Sequence, residues 1–133
     1  MAESAHLSVG DVYRAYIDAE NARDHDTVQA LLHSEITVEV NGVAQLADRE
    51  GDARATAVLL AHYPDYQRVL HEVLVDGDRL AARWTMSGTS SAIPAGAPLE
   101  VHGCTIATVI DGQITAAALY TSNDVLDRML ADS

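Results

Sequence analysis

The sequence predicts an α+β fold in which helices cover one side of a curved antiparallel sheet, and three observations carry that prediction. The first is a series of β-rich segments, Val69–Val75, Leu80–Gly88, Leu99–Ile110 and Gln113–Thr121, filling the second half of the chain. The second is turn chemistry. Asp76-Gly77 and Asp111-Gly112 separate neighbouring segments, and both residue types tolerate the positive φ of a type I′ hairpin. The third is periodicity: upstream of Tyr63 the apolar residues recur mostly at helical spacing. Helix, helix, strand, helix and then a meander is an α+β order.

Ser8 with Asp11 three residues on resembles a capping box, Asp standing in for Glu. Val9, Val12, Tyr13, Tyr16 and Ile17 then mark the buried face of a helix over Val9–Ala22. Asp24 caps a second, shorter helix ending at Leu32, and Ile36–Val40 is a β-branched strand ended by Asn41-Gly42. Asp48–Gly51 leads into a third helix, Asp52–His62, with Ala55, Val58, Leu59 and His62 on one face. Tyr63-Pro64-Asp65 stops it, because proline cannot continue a helix. After the meander, Asn123 caps a short last helix, Asp124–Leu130.

With 133 residues, 48% hydrophobic and 21% charged, the chain reads as one domain spanning 1–133 with a core of its own. No run approaches the roughly 18 apolar residues of a membrane span. The first residues lack the basic and apolar regions of a signal peptide, so the chain reads as cytoplasmic. Its net charge is −12 and all 8 basic residues are arginines, which argues against nucleic acid and anionic membrane surfaces as partners. Cys104 is the only cysteine and sits in an expected strand, the ordinary place of a small core residue.

Neither of the last two strands has a polar face. Val101, Gly103, Thr105, Ala107 and Val109 alternate with Cys104, Ile106 and Ile110; Thr115, Ala117 and Leu119 alternate with Ile114, Ala116, Ala118 and Tyr120. A strand apolar on both sides is covered on both sides. The helices cover one, so a second copy of the chain is expected on the outer face, giving a homodimer.

Several stretches together resemble the nuclear-transport-factor-2-like superfamily, in its SnoaL-like polyketide cyclase branch. They are Tyr16-Ile-Asp-Ala-Glu-Asn-Ala-Arg-Asp, the Gly51 helix, Tyr63-Pro-Asp, Gly77-Asp-Arg-Leu-Ala-Ala-Arg-Trp-Thr-Met-Ser-Gly-Thr and Asp111-Gly-Gln-Ile. The resemblance implies a cone-shaped barrel, a curved antiparallel sheet wrapped around three to four helices that enclose one deep pocket. It also implies frequent dimers through the outer sheet face. The family's acidic positions carry over one by one, and mostly as losses. The last-strand aspartate of the cyclases falls at Leu119, and their histidine on the preceding strand at Thr105. The base aspartate of ketosteroid isomerases falls at about Val40. The Arg and Asp of limonene-epoxide hydrolases fall on the strand holding Trp84 and Met86. Tyr16 matches the first-helix tyrosine that donates to an oxyanion in ketosteroid isomerases. The implied inner wall is Val40, Trp84, Met86, Thr105, Ala117 and Leu119.

Each candidate has a plainer reading beside it. Tyr16 is a proton donor to a ligand oxygen or an amphipathic core tyrosine. Trp84 and Met86 are a stacking floor for a planar ligand or plain core. His102 with Glu100 is a base and its orienter if that end of the strand opens inward; by parity both face outward. His71 and Glu72 point to opposite faces of their strand, leaving open which is inside. Gly103 is a candidate bulge site. The six histidines show no ligand spacing, so no metal is expected, and without a phosphate-binding glycine loop or a dinucleotide fingerprint no cofactor is expected either.

The expected function is a cofactor-independent cyclase or isomerase acting on an apolar polyketide- or terpenoid-like molecule, with Tyr16 and His102 as catalytic candidates. The alternative is a small-molecule-binding module that has lost the family's catalytic acids.

Overall fold

The computed structural model describes residues 7–92 and 96–121. The expected helix Asp124–Leu130 lies outside them. Helices α1 (Val9–Asn21) and α2 (His25–Leu31) are followed by strands β1 (Leu32–Val40) and β2 (Val43–Leu46) and then by helix α3 (Arg49–His62). Strands β3 (Gln67–Asp76), β4 (Arg79–Gly88), β5 (Leu99–Ile110) and β6 (Gln113–Thr121) then form the meander. Each helix starts on a side-chain cap. Ser8 Oγ accepts from the Asp11 amide at 3.1 Å, Asp24 from Thr27 at 3.3 Å, and Asp48 from Gly51 at 2.6 Å. Because Asp48 is the cap, α3 begins at Arg49 and Asp52 lies within its first turn, not at its start.

The described strands form a single sheet in the order β2-β1-β6-β5-β4-β3. Sheet and helices make a cone-shaped α+β fold, with two departures from the expected antiparallel barrel. The sheet is mixed, since β1 runs parallel to β6, and it is open, with β2 and β3 at its edges. The long route from β1 to β6 through α3 and the meander supplies the crossover that parallel neighbours need. Strand β2 also goes beyond the sequence reading. Asn41 and Gly42 take φ of 50° and 86°, so they reverse the chain into a hairpin where a strand end was expected.

The inner face of the sheet follows a period of two along β4 and β5. Leu80, Ala82, Trp84 and Met86 are buried, as are Val101, Thr105, Ala107 and Val109. Gly103 belongs to the same row but is not bulged; it pairs in register with Trp84. A Cβ there would lie 2.5 Å from the Trp84 ring and 2.8 Å from the Tyr120 carbonyl oxygen. Neither neighbour has room to yield, one being a fully buried ring and the other backbone. Gly103→Ala is therefore expected to destabilise the fold by about 3 kcal/mol, the upper end of overpacking costs. Urea denaturation measures it, and a loss under about 0.5 kcal/mol would mean the indole can move aside.

A bulge occurs instead in β3, where Leu70 pairs with Trp84 and Glu72 with Arg83, leaving His71 extra. The added residue breaks the alternation, so His71 and Glu72 both reach the outer face, where opposite faces had been expected. Glu72 there meets Arg83 at 3.3 Å, and His71 meets Thr85 at 2.8 Å.

Candidate active site

Tyr13, Tyr16, Ile17 and Glu20 share one stripe of α1 at helical spacing, which carries a carboxylate into the interior. Glu20 is 8% exposed, and its partner Arg68, on β3, is 6% exposed. Arg68 Nη2 donates to both Glu20 oxygens at 2.8 and 3.0 Å, and Nε donates to Oε1 at 3.1 Å. The Tyr66 hydroxyl donates to Oε1 at 3.2 Å and accepts from Arg68 Nε at 3.1 Å; the Tyr16 hydroxyl donates to Oε2 at 3.3 Å. The guanidinium lies 5.3 Å from the Trp84 ring centroid and 5.9 Å from that of Tyr16. Burial alone would lower the pKa of Arg68, but Glu20 and the surrounding phenols outweigh it and hold the group well above its ordinary value. Asn21 clamps the two elements together, donating to the Arg68 carbonyl and accepting from its amide, both at 2.8 Å.

Above this cluster lies a cavity of about 90 Å³ with a mostly aliphatic wall that includes Leu32, Ile36, Val40, Leu59, Ile114 and Leu119. Polar groups interrupt it: Tyr13, Thr56, Thr105, the Glu20–Arg68 pair with Tyr16, and Asp52. Asp52 reaches the cavity because it shares a stripe of α3 with Ala55 and Leu59. Its carboxyl has no hydrogen-bond partner among the described residues. Desolvation, and then the negative charge of Glu20, push its pKa from 3.8 up to about 6, against the opposing pull of Arg68. Glu20, Asp52 and Thr56 also line a cleft of about 340 Å³ between α2 and α3, so they form the partition between the inner cavity and that cleft.

Tyr13 is 2% exposed, and its hydroxyl is the one buried side-chain polar atom among the described residues with no hydrogen-bond partner. Desolvation raises its pKa; Arg68 and Thr105 lie near enough to draw it partly back down. Tyr16, one turn on, is pushed well above its ordinary value by desolvation, then by Glu20 and Asp52.

The expected wall residues Val40, Met86, Thr105, Ala117 and Leu119 line this cavity. Trp84 does not. It is 0% exposed and lies behind the wall, its Nε1 donating to Thr105 Oγ1 at 2.8 Å. Tyr16 borders the cavity, but its proton is engaged by Glu20, which removes it as a ready donor to a ligand. His102 is on the outer face, with 67% of its side chain exposed and Glu100 at 3.2 Å. There the Thr85 hydroxyl bridges His102 Nδ1 at 3.0 Å and His71 Nε2 at 2.8 Å. Among the described residues no group of three or more His, Cys, Asp or Glu side chains is placed to hold a metal ion.

Glu20, Asp52, Arg68 and the unpaired Tyr13 are absent from the sequence-derived site. A signal for them existed in the stripes: Glu20 continues the Tyr13–Tyr16 face of α1, and Asp52 continues the Ala55–Leu59 face of α3. Charged residues in apolar stripes mark buried polar groups that need a partner or a purpose.

Solved structures similar to this one agree on the fold. IdmH of Streptomyces antibioticus, a proposed polyketide cyclase, has a TM-score of 0.78 at 21% identity over 94% of this chain and 99% of its own. A proposed SnoaL-like polyketide cyclase from Jannaschia sp. CCS1 has a TM-score of 0.75 at 18% identity, covering 100% and 98%. An LEH-like epoxide hydrolase from M. tuberculosis has a TM-score of 0.72 at 19% identity, covering 91% and 87%. No curated protein matches the chain. The family model of the SnoaL-like domain matches residues 13–117, from the unpaired tyrosine of α1 to the cavity-facing alanine of β6, and the chain belongs to that family.

Proposed function

We propose that this protein is a cofactor-independent cyclase or isomerase acting on an apolar, polyketide- or terpenoid-like small molecule in the cone cavity. One observation carries the reading: Asp52, a carboxyl with no hydrogen-bond partner among the described residues, faces a mostly aliphatic cavity with its pKa held at about 6. A carboxyl poised near neutrality takes a proton from a substrate carbon and returns it elsewhere. The aliphatic wall supports the reading by holding the substrate in one reactive shape. A ligand larger than the 90 Å³ cavity extends past Asp52 and Thr56 into the adjoining cleft, which sets Asp52 alongside its body.

Val40 and Leu119, apolar where the family carries carboxylates, favour a second reading, a binding module without catalysis. Turnover of polycyclic and terpenoid ketones by wild type and by Asp52→Asn separates the two. Conversion by wild type that the variant loses supports the enzyme. Binding of such ligands with no conversion supports the module.

The same proposal includes a homodimer through the outer sheet face. Leu74, Ala81, Ile106 and Ala118 fall in one cross-strand row there, and Leu74 and Tyr120 are 62% and 47% exposed. Ala118→Arg is expected to yield monomers, since it would bury an unpaired charge at the seam. Light scattering that finds wild type monomeric at micromolar concentration would sink the dimer.

A further inference from the structure

On the outer face of the sheet, two histidines that lie far apart in the sequence aim at one point. His71 Nε2 lies 2.8 Å from the Thr85 hydroxyl oxygen, and His102 Nδ1 lies 3.0 Å from the same atom. His71 gets there only through the β3 bulge, which leaves it as the extra residue between Leu70 and Glu72. Bulges beside functional sites re-aim side chains in this way. Glu100 then fixes the state of His102. Its Oε2 lies 3.2 Å from His102 Nε2, and a carboxylate only accepts, so Nε2 carries the proton of the neutral ring. That leaves a lone pair on Nδ1, directed at Thr85. The same pairing with a carboxylate orients imidazoles that bind metal ions. Fold stability does not account for the arrangement, because polar contacts at a solvent-exposed surface are worth little.

We infer that His71 and His102 form a binding site for a divalent transition-metal ion of the imidazole-preferring class, Cu²⁺, Ni²⁺ or Zn²⁺, held between β3 and β5 in the place of the Thr85 hydroxyl. A metal–imidazole bond is about 2.0–2.1 Å, so each nitrogen closes in by about 1 Å while the Thr85 side chain turns away. Both rings are exposed, which leaves them free to make that move. Solvent also carries the His71 proton from Nε2 to Nδ1 and frees the second ligating lone pair. No third His, Cys, Asp or Glu among the described residues completes a ligand group, so water fills the remaining positions. Two nitrogen donors select against the hard, oxygen-seeking Mg²⁺ and Ca²⁺. The neighbouring cation on this face, Arg83, is paired with Glu72 at 3.3 Å, and the chain's net charge of −12 draws cations to its surface. Thr85 lies nearer the Gly88 end of β4 than Ala81, which sets the site apart from the apolar row of the proposed dimer. It is equally independent of the cavity, because Trp84 and Met86 on either side of Thr85 face inward.

The test titrates Zn²⁺ by calorimetry and Ni²⁺ by NMR into the full chain without a histidine tag. Wild type is expected to take up about one Zn²⁺ per chain, released by a chelator, and to give no saturable heat with Mg²⁺. Ni²⁺ should broaden the ring signals of His71 and His102 before those of His6, His25, His33 and His62. His71→Ala and His102→Ala should each abolish saturable uptake, since one imidazole is then left. Glu100→Ala should weaken uptake about tenfold, the low end of the cost of removing a ligand's carboxylate partner. Thr85→Ala should keep it, because the hydroxyl is displaced and is not a ligand. The two histidines and Glu100 are exposed, so their variants keep the fold, and far-UV circular dichroism checks it. Absent uptake at millimolar Zn²⁺, uptake kept by either histidine variant, or broadening that falls first on another histidine would each overturn the site. Unweakened binding in Glu100→Ala would overturn the part given to Glu100, and lost binding in Thr85→Ala would overturn the displacement of its hydroxyl.

Discussion

Asp52→Asn is expected to lower turnover by about 10²–10⁴-fold, the usual effect of removing a general acid or base, and at the same time to stabilise the fold above pH 6. The two effects share one cause. Asp52 binds its proton more tightly in the native cavity, at a pKa of about 6, than in the unfolded chain, at 3.8. The native state therefore holds more protons between those values, and stability falls as pH rises from about 4 through about 6. Below that window the carboxylic acid and the amide are near equivalents. Above it wild type carries a buried, unpaired carboxylate that the variant lacks. The full shift corresponds to about 3 kcal/mol, and partial exposure of Asp52 beside the α2–α3 cleft reduces the expected gain to about 2 kcal/mol at pH 8. Urea denaturation at pH 4 and pH 8 measures it, alongside the pH profile of kcat. A stability difference that is the same at both pH values would show that Asp52 is not desolvated. A wild-type profile with no inflection near pH 6 would remove it from the proton-transfer step.

Glu20→Gln is expected to cost about 3–5 kcal/mol, the largest stability loss foreseen for a single polar residue here. The reason lies less in the strength of the ion pair than in what its removal leaves behind. Arg68 is buried under Trp84 and Tyr16, and Glu20 is its only carboxylate partner among the described residues. Without Glu20 the guanidinium keeps its desolvation penalty and loses the charge that offsets it. Replacing both residues by methionine should recover most of the loss, because two desolvated charges are then removed together. The variant has a second signature. Glu20 is one of the two influences raising the pKa of Asp52, so its neutralisation should move the acidic limb of the pH profile to lower pH. A loss below about 1 kcal/mol, or a double variant no better than the single one, would mean that Arg68 finds water or another partner.

The SnoaL-like architecture could be read from the chain because its determinants are local. Strand β5 ends and β6 begins where Asp111-Gly112 turns, and both residues take the positive φ that their types tolerate, 51° and 78°. The strict period of two along β4 and β5 likewise sends Met86 and Thr105 inward, as the alternation of side chains requires. The bulge at His71 had no comparable signal. Nothing in Leu70-His71-Glu72 announces an extra residue, and only pairing with β4 puts both polar side chains on the outer face.

The sequence by itself determined the caps of α1 and α2, the hairpin turns of the meander and the inward rows of β4 and β5. Each depends on residues within a few positions of one another. Tertiary structure alone decided the chemistry of the cavity. Glu20 and Arg68 are 48 residues apart and meet only when α1 lies across β3. Tyr16 gives its proton to Glu20, while the Tyr13 hydroxyl one turn earlier has no hydrogen-bond partner among the described residues. Asp52 is an ordinary surface-type residue in the sequence. It becomes an acid with a pKa near neutrality only when the sheet removes its water and brings another carboxylate close, and desolvation is a property of the assembled cavity.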